Sequence, residues 1–193
     1  MKNRKPKDFL DIKYRASMFL SRVFKRPFYC LFMKRFGKKT TIYHPLRIIG
    51  SRYMLFGKNV VVDKYACLYA FRFFNNNPEL QIGDGTRIGH FCHIVATSKV
   101  IIGRNVLIAD RVFISDNSHK YSDITMPIIT QGVVHNGDVT IGDDTWIGEN
   151  VCILSSKIGK HCVIGANSVV TRDIPDYSIA VGVPAKVIKT ILD

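Results

Sequence analysis

Histidine is the side chain best suited to move a proton near neutral pH, and of the six here His119 has the most telling surroundings. It follows the small residue Ser118 and opens a stretch, 120–138, whose Pro127, Gly132 and Gly137 mark a long loop. Its ring is expected to point outward into a cleft, where it could take the proton of an attacking hydroxyl as a general base. Asp116, three residues earlier, could accept a hydrogen bond from one ring nitrogen and so orient the other. Asp123 is a rival for that role, and either carboxylate could simply be solvated. His44 precedes a proline and His161 falls on a turn, so both carry less weight.

What must hold these groups in place is a repeat with a period of six. Apolar anchors fall at Phe56, Val62 and Leu68, then Ile82, Ile88 and Ile94, then Ile102, Ile108 and Ile114, then Ile141, Ile147 and Ile153, and last Ile158, Ile164 and Val170. Glycine follows eight of these fifteen anchors, and twelve of them have Ala, Ser, Cys, Thr or Val four positions on, the exceptions being Arg72, Lys157 and Ile174. Two independent features in phase with the anchors rule out an accident of an isoleucine-rich chain. An α-helix cannot put every sixth residue on one stripe, because at 100° per residue six steps rotate the side chain by about 240°. A β-sandwich would show a period of two and irregular turn spacing. A three-sided coil of short strands fits: the anchor points inward, the small residue fills the corner, and the glycine takes a backbone conformation that other residues resist. Eighteen residues close a coil, and several coils must stack before the interior is buried.

With 193 residues and 47% hydrophobic content, one such unit plus a tail is expected. The fold class is all-β, a parallel β-helix of hexapeptide repeats with an N-terminal helical segment and a long inserted loop. Its parts are a basic amphipathic segment 1–39, the β-helix 40–185 with the insertion 120–138, and a tail 186–193; residues 69–81 form a second, shorter bulge. The net charge of +13 is uneven, since residues 1–39 carry thirteen Lys or Arg against Asp8 and Asp11, or +11, and the remainder only +2. Basic residues interleaved with Phe19, Leu20, Val23, Phe24, Phe28 and Leu31 suggest an amphipathic helix, which either lies on an anionic membrane or caps the open end of the first coil. With the rest of the chain near neutral and no recognised module present, nucleic-acid binding is not expected. Apolar runs near the N-terminus are broken by Arg22, Lys25, Arg26 and Pro27, too soon for a membrane span. Five scattered cysteines without a C-x-x-C pair fit buried, reduced thiols and a cytoplasmic location.

From Ile82 to Lys189 the chain resembles the hexapeptide-repeat O-acetyltransferases, the group that includes maltose and galactoside acetyltransferases and bacterial capsule and lipopolysaccharide acetyltransferases. The stretches VIIGRNVLIADRVFISDNSH (100–119), VTIGDDTWIGENVCIL (139–154) and VIGANSVVTRDIPDYSIAVGVPAKVIK (163–189) carry the likeness, the last most specifically. The resemblance implies a left-handed winding and a homotrimer with active sites in clefts between subunits. It also implies acetyl-CoA as co-substrate, a saccharide acceptor and His119 as the catalytic base. The pantetheine arm would run beside Trp146, Gly148 and Ala166, and the nucleotide with its phosphates would meet Thr171, Arg172, Lys186 and Lys189. Glu149 departs from the small residue some relatives place there. The basic, apolar N-terminal segment, which could hold such an enzyme against an anionic cytoplasmic membrane where lipid-linked sugars are assembled, tilts the setting toward surface polysaccharide biosynthesis. N-acetylation of a nucleotide-linked amino sugar and a non-catalytic β-helix scaffold are the alternatives. His90 and His93 form an H-x-x-H pair that could join a third histidine on zinc. The carbonic anhydrases that share this fold pair two ligands as H-x-x-x-x-H, and Ile124 stands five beyond His119, so no metal is expected.

Overall fold

The six-residue beat folds into the flat sides of a triangular tube. The computed structural model describes residues 9–75 and 77–192. One side is built by Arg35–Phe36, Met54–Phe56, Glu79–Ile82, Lys99–Ile102, Val139–Ile141 and Lys157–Ile158. The second has Thr41–Ile42, Val61–Val62, Arg87–Ile88, Leu107–Ile108, Trp146–Ile147, Val163–Ile164 and Ser178–Val181. The third has Arg47–Ile49, Cys67–Ala70, His93–Ala96, Phe113–Ser115, Cys152–Leu154 and Val169–Val170. Every neighbouring pair in these runs is parallel, and the register stacks anchor on anchor: Ile82, Ile102, Ile141 and Ile158 form one ladder, and Ile94, Ile114, Ile153 and Val170 another. All fifteen anchors are at most 2% exposed. Burying a side chain of this size contributes roughly 1.5–3 kcal/mol, so the ladder of anchors is the main source of stability.

The repeat glycines have a different cause from the one expected. None of the eight that follow an anchor has a positive φ. The left-handed residue comes two positions later, at Asn59, Asn105, Asp144, Asn150 and Asn167 among others, where Asn and Asp tolerate that geometry best. The glycine is needed because the coils touch there: a Cβ on Gly83 would lie 2.5 Å from the carbonyl of Gly103 in the next coil. Close approach of backbones, not φ, selects the residue.

The helix spans Phe9–Phe32, and the first coil starts at Arg35, five residues before the expected boundary at 40. Residues 1–8 of the basic segment lie outside the described residues. The beat already runs through Phe36, Ile42 and Ile48, which pair with Phe56, Val62 and Leu68. The helix end covers this coil: Tyr29 and Met33 are buried, and the rings of Tyr29, Phe36 and Phe56 lead inward with centroids 5.3 and 5.9 Å apart. At the other end Lys186–Thr190, expected as a tail, turns back and pairs antiparallel with Ser178–Val181. All five cysteines are free, but Cys30 on the helix is exposed rather than buried. Among the described residues no helix is long and apolar enough to cross a membrane.

Candidate active site

After Ser115 the chain leaves the tube, so Ser118 is not the corner residue its spacing suggested. It belongs to a short strand, Asn117–His119, that pairs antiparallel with Val133–His135 and makes the insertion a hairpin. The hairpin is tied down at its base, where Asn136 N–H donates to Asp116 O at 3.1 Å, Asn136 Nδ2 to Ser118 Oγ at 2.8 Å and Ser155 N–H to Ser115 O at 2.9 Å. Its tip is held by Gln131 Nε2, which donates to the carbonyls of Asp123 and Met126. His119 is exposed at the end of its strand, and its ring has no hydrogen-bond partner among the described residues.

Neither acid proposed to orient that ring touches it. Asp116 is fully buried. Its carboxylate accepts the backbone N–H groups of Thr97, Ser98 and Lys99 at 2.7–2.9 Å, the Thr97 hydroxyl at 2.8 Å and Asn117 Nδ2 at 2.9 Å. The physical reason is a bend: Phe113–Ser115 ends at Asp116, and the chain restarts as the separate strand Asn117–His119 outside the tube. Asp116 turns inward and His119 outward. Asp123 accepts from the hydroxyl and N–H of Thr125, which hold its carboxyl below the usual carboxylate range.

His119 stands at the rim of a cavity of about 570 Å³ on the outer surface of the third side. Its wall is largely apolar, with Tyr69, Phe71, Phe113 and Leu154 on it, and Val133 of the hairpin contributes to the edge. His93 lies in this wall with its ring edge-on to Tyr69 and Phe113, at 5.0 and 5.4 Å between centroids. Burial lowers its pKa, and its Nε2 is buried without a partner. Sequence reasoning weighed His93 only as a metal ligand, although its place one before the anchor Ile94 signals an outward ring stacked in register on Phe113. His90, the other half of that pair, lies 3.3 Å from Asp110. No group of three metal-binding side chains occurs among the described residues.

The residues assigned to the cofactor divide between places. Gly148 and Ala166 are stacked at the corner between the second and third sides, where successive coils touch: a Cβ on Gly148 would meet Ala166 N at 2.6 Å. Trp146, half exposed, stands between Leu107 and Val163 on the second side. Thr171 and Arg172 are exposed at the corner between the third and first sides, and Lys186 and Lys189 are exposed on the last strand. Glu149 is paired with Arg111. His119 sits across the width of the third side from the Gly148–Ala166 corner, and no described contact of this chain joins them.

Comparison with known proteins places this arrangement. Residues 138–172 match the hexapeptide repeat of succinyl-transferase. Galactoside O-acetyltransferase of Escherichia coli strain K12 is 32% identical over 166 residues, which cover 83% of this chain and 80% of that one. This chain belongs to the hexapeptide-repeat acetyltransferases. The family's coil is the left-handed parallel β-helix, and the solved N-acyltransferase AntD of Bacillus cereus shares it with a TM-score of 0.71 at 21% identity, covering 86% of this chain and 87% of that one. WbbJ of E. coli strain K12, named for lipopolysaccharide biosynthesis O-acetyl transfer, is 38% identical over 148 residues, 73% of this chain and 66% of that one. This hexapeptide-repeat chain spans 37, 66 and 57% of the lengths of three relatives that it matches at 47, 38 and 43% identity.

Proposed function

We propose that this chain transfers an acetyl group from acetyl-CoA to a saccharide hydroxyl, with His119 as general base. The observation that carries the reading is the free imidazole of His119, presented by a pinned hairpin at the rim of a cavity in a chain of this family. The thioester supplies an acyl group that is already activated, so no covalent enzyme intermediate is needed. A hydroxyl is a poor nucleophile at neutral pH, and His119 takes its proton as the C–O bond forms. The C–S bond breaks, and the same proton returns to the departing thiolate. The Gly148–Ala166 corner would cradle the thin pantetheine arm along its outer surface, since neither residue carries a side chain larger than a methyl group. Trp146 would flank that arm, and Thr171, Arg172, Lys186 and Lys189 would meet the nucleotide and its phosphates.

A homotrimer accounts for the separation of these parts. One copy offers His119 and its cavity, and the cradle of an adjacent copy completes the site. We assign the enzyme to surface polysaccharide biosynthesis at the inner face of the membrane, with the basic, apolar residues 1–39 as a peripheral contact.

Thiol release from acetyl-CoA across a panel of free sugars, oligosaccharides and amino sugars tests the reading. His119→Ala should fold normally and lose on the order of 10² to 10⁴ in rate. An unchanged rate would remove His119 from the chemistry, and release with amino sugars alone would make the enzyme an N-acetyltransferase.

A further inference from the structure

The helix Phe9–Phe32 has two unlike sides. Tyr29 and Met33 are buried against the first coil, and Arg26 Nη1 donates to the carbonyl of Gly37 at 2.8 Å. At 100° per residue, Leu20, Phe24, Phe28 and Leu31 fall within an arc of about 80° on the opposite side. They are 51–76% exposed, although they are among the most apolar side chains in the molecule. The helix therefore meets the tube through its last turns and leaves this apolar arc largely exposed, with Leu20 and Phe24 on the edge of a recess beside His44.

Beside the last turns of the helix lies a recess of about 640 Å³ in which Arg26, Arg35, Lys38 and Lys58 converge. The single acidic side chain lining it, Asp84, accepts the backbone N–H of Lys58 at 2.7 Å. Four cations against one carboxylate give the lining of this recess a net positive charge.

We propose that the outer face of the helix inserts into the interface of an anionic bilayer while the recess takes a lipid phosphate headgroup. An in-plane helix with Phe and Leu on one side and cations on the other has the composition of an interfacial anchor. Its attraction to anionic lipid is local, because residues 1–39 carry +11 and the remaining chain only +2. A second copy is a poor occupant of this face, since it would bring the same positive charge against it. Nucleic acid would satisfy the cations and leave the apolar arc in water. This inference rests on residues 1–39 being the membrane contact and does not depend on acetyl transfer.

The test is flotation of the full chain with vesicles of phosphatidylcholine alone or mixed with phosphatidylglycerol. The parent should float with the mixed vesicles. Phe24→Ser combined with Leu31→Ser should cut that partition on the order of tenfold or more, because both side chains lie in the inserted face. Arg35→Gln combined with Lys38→Gln and Lys58→Gln should remove the preference for the anionic vesicles. Thermal unfolding should be unchanged in both variants. Flotation of the Phe24/Leu31 variant equal to the parent overturns the proposal, as does equal binding of the parent to both vesicle types. A fall in oligomeric mass of that variant in light scattering would assign the face to another copy. Retention on DNA that survives the Phe24/Leu31 substitutions, without flotation, would assign the cations to nucleic acid. Thiol release with a soluble sugar, read on the same samples, should not change; its absence with flotation intact would sink only the catalytic reading.

Discussion

Asp116 and Thr97 are joined by three hydrogen bonds: the Thr97 N–H reaches both carboxylate oxygens at 2.9 Å, and its hydroxyl donates to one of them at 2.8 Å. The pair fastens the strand that carries His119 to the turn of the coil before it. Asp116→Ala would leave the buried N–H of Thr97 and the part-buried N–H groups of Ser98 and Lys99 without their acceptor. At about 1–3 kcal/mol for each unsatisfied group, the loss should reach several kcal/mol, read by chemical denaturation. Asp116→Asn should fall between, since its amide keeps one acceptor oxygen. Both should lower the transfer rate through the position of His119, leaving the pH dependence of catalysis in place.

His93 gives the fold an acid sensitivity. Burial lowers its pKa from the ordinary 6.5, so below that pH the unfolded chain binds a proton that the folded chain resists. Stability from this source is complete above about 6.5 and falls as the pH drops towards the folded value. In His93→Gln the fall between pH 7 and pH 5 should be shallower than in the parent, as measured by urea titration at each pH.

Gly148 and Gly83 should separate packing from cofactor binding. A Cβ at either position collides with the next coil, within 2.6 Å of Ala166 N or 2.5 Å of Gly103 O, so alanine at each should cost about 1–3 kcal/mol. Only Gly148→Ala should also raise the KM for acetyl-CoA, because only Gly148 belongs to the proposed cradle. Equal KM values for the two variants would move the pantetheine arm elsewhere.

Much of the tube is legible in the sequence because its period differs from that of helix and sandwich alike. The first coil escapes notice although Phe36, Ile42 and Ile48 keep the beat and Gly37 follows the first of them, since Lys38, Lys39 and Pro45 disguise it as part of the basic segment. At the site, the outward course of His119 follows from the end of the repeat. The role of Asp116 does not, because the proximity of Thr97, Ser98 and Lys99 depends on which coil lies beneath. His93 could have been found by carrying the inward and outward alternation one step back from each anchor. The reversal at Lys186–Thr190 has no periodic signature, and only tertiary pairing decides it.

The two closures of the tube have a consequence for its behaviour as a polymer. A stack of parallel coils is a template that any similar stack could extend, rung upon rung, into a fibril. Tyr29 and Met33 plug one mouth, and at the other the antiparallel return of Lys186–Thr190 covers the edge of the second side with a strand running the wrong way for further growth. Chains cut before Arg35 should therefore expose a sticky end and assemble into filaments that bind amyloid dyes, while the intact protein stays dispersed.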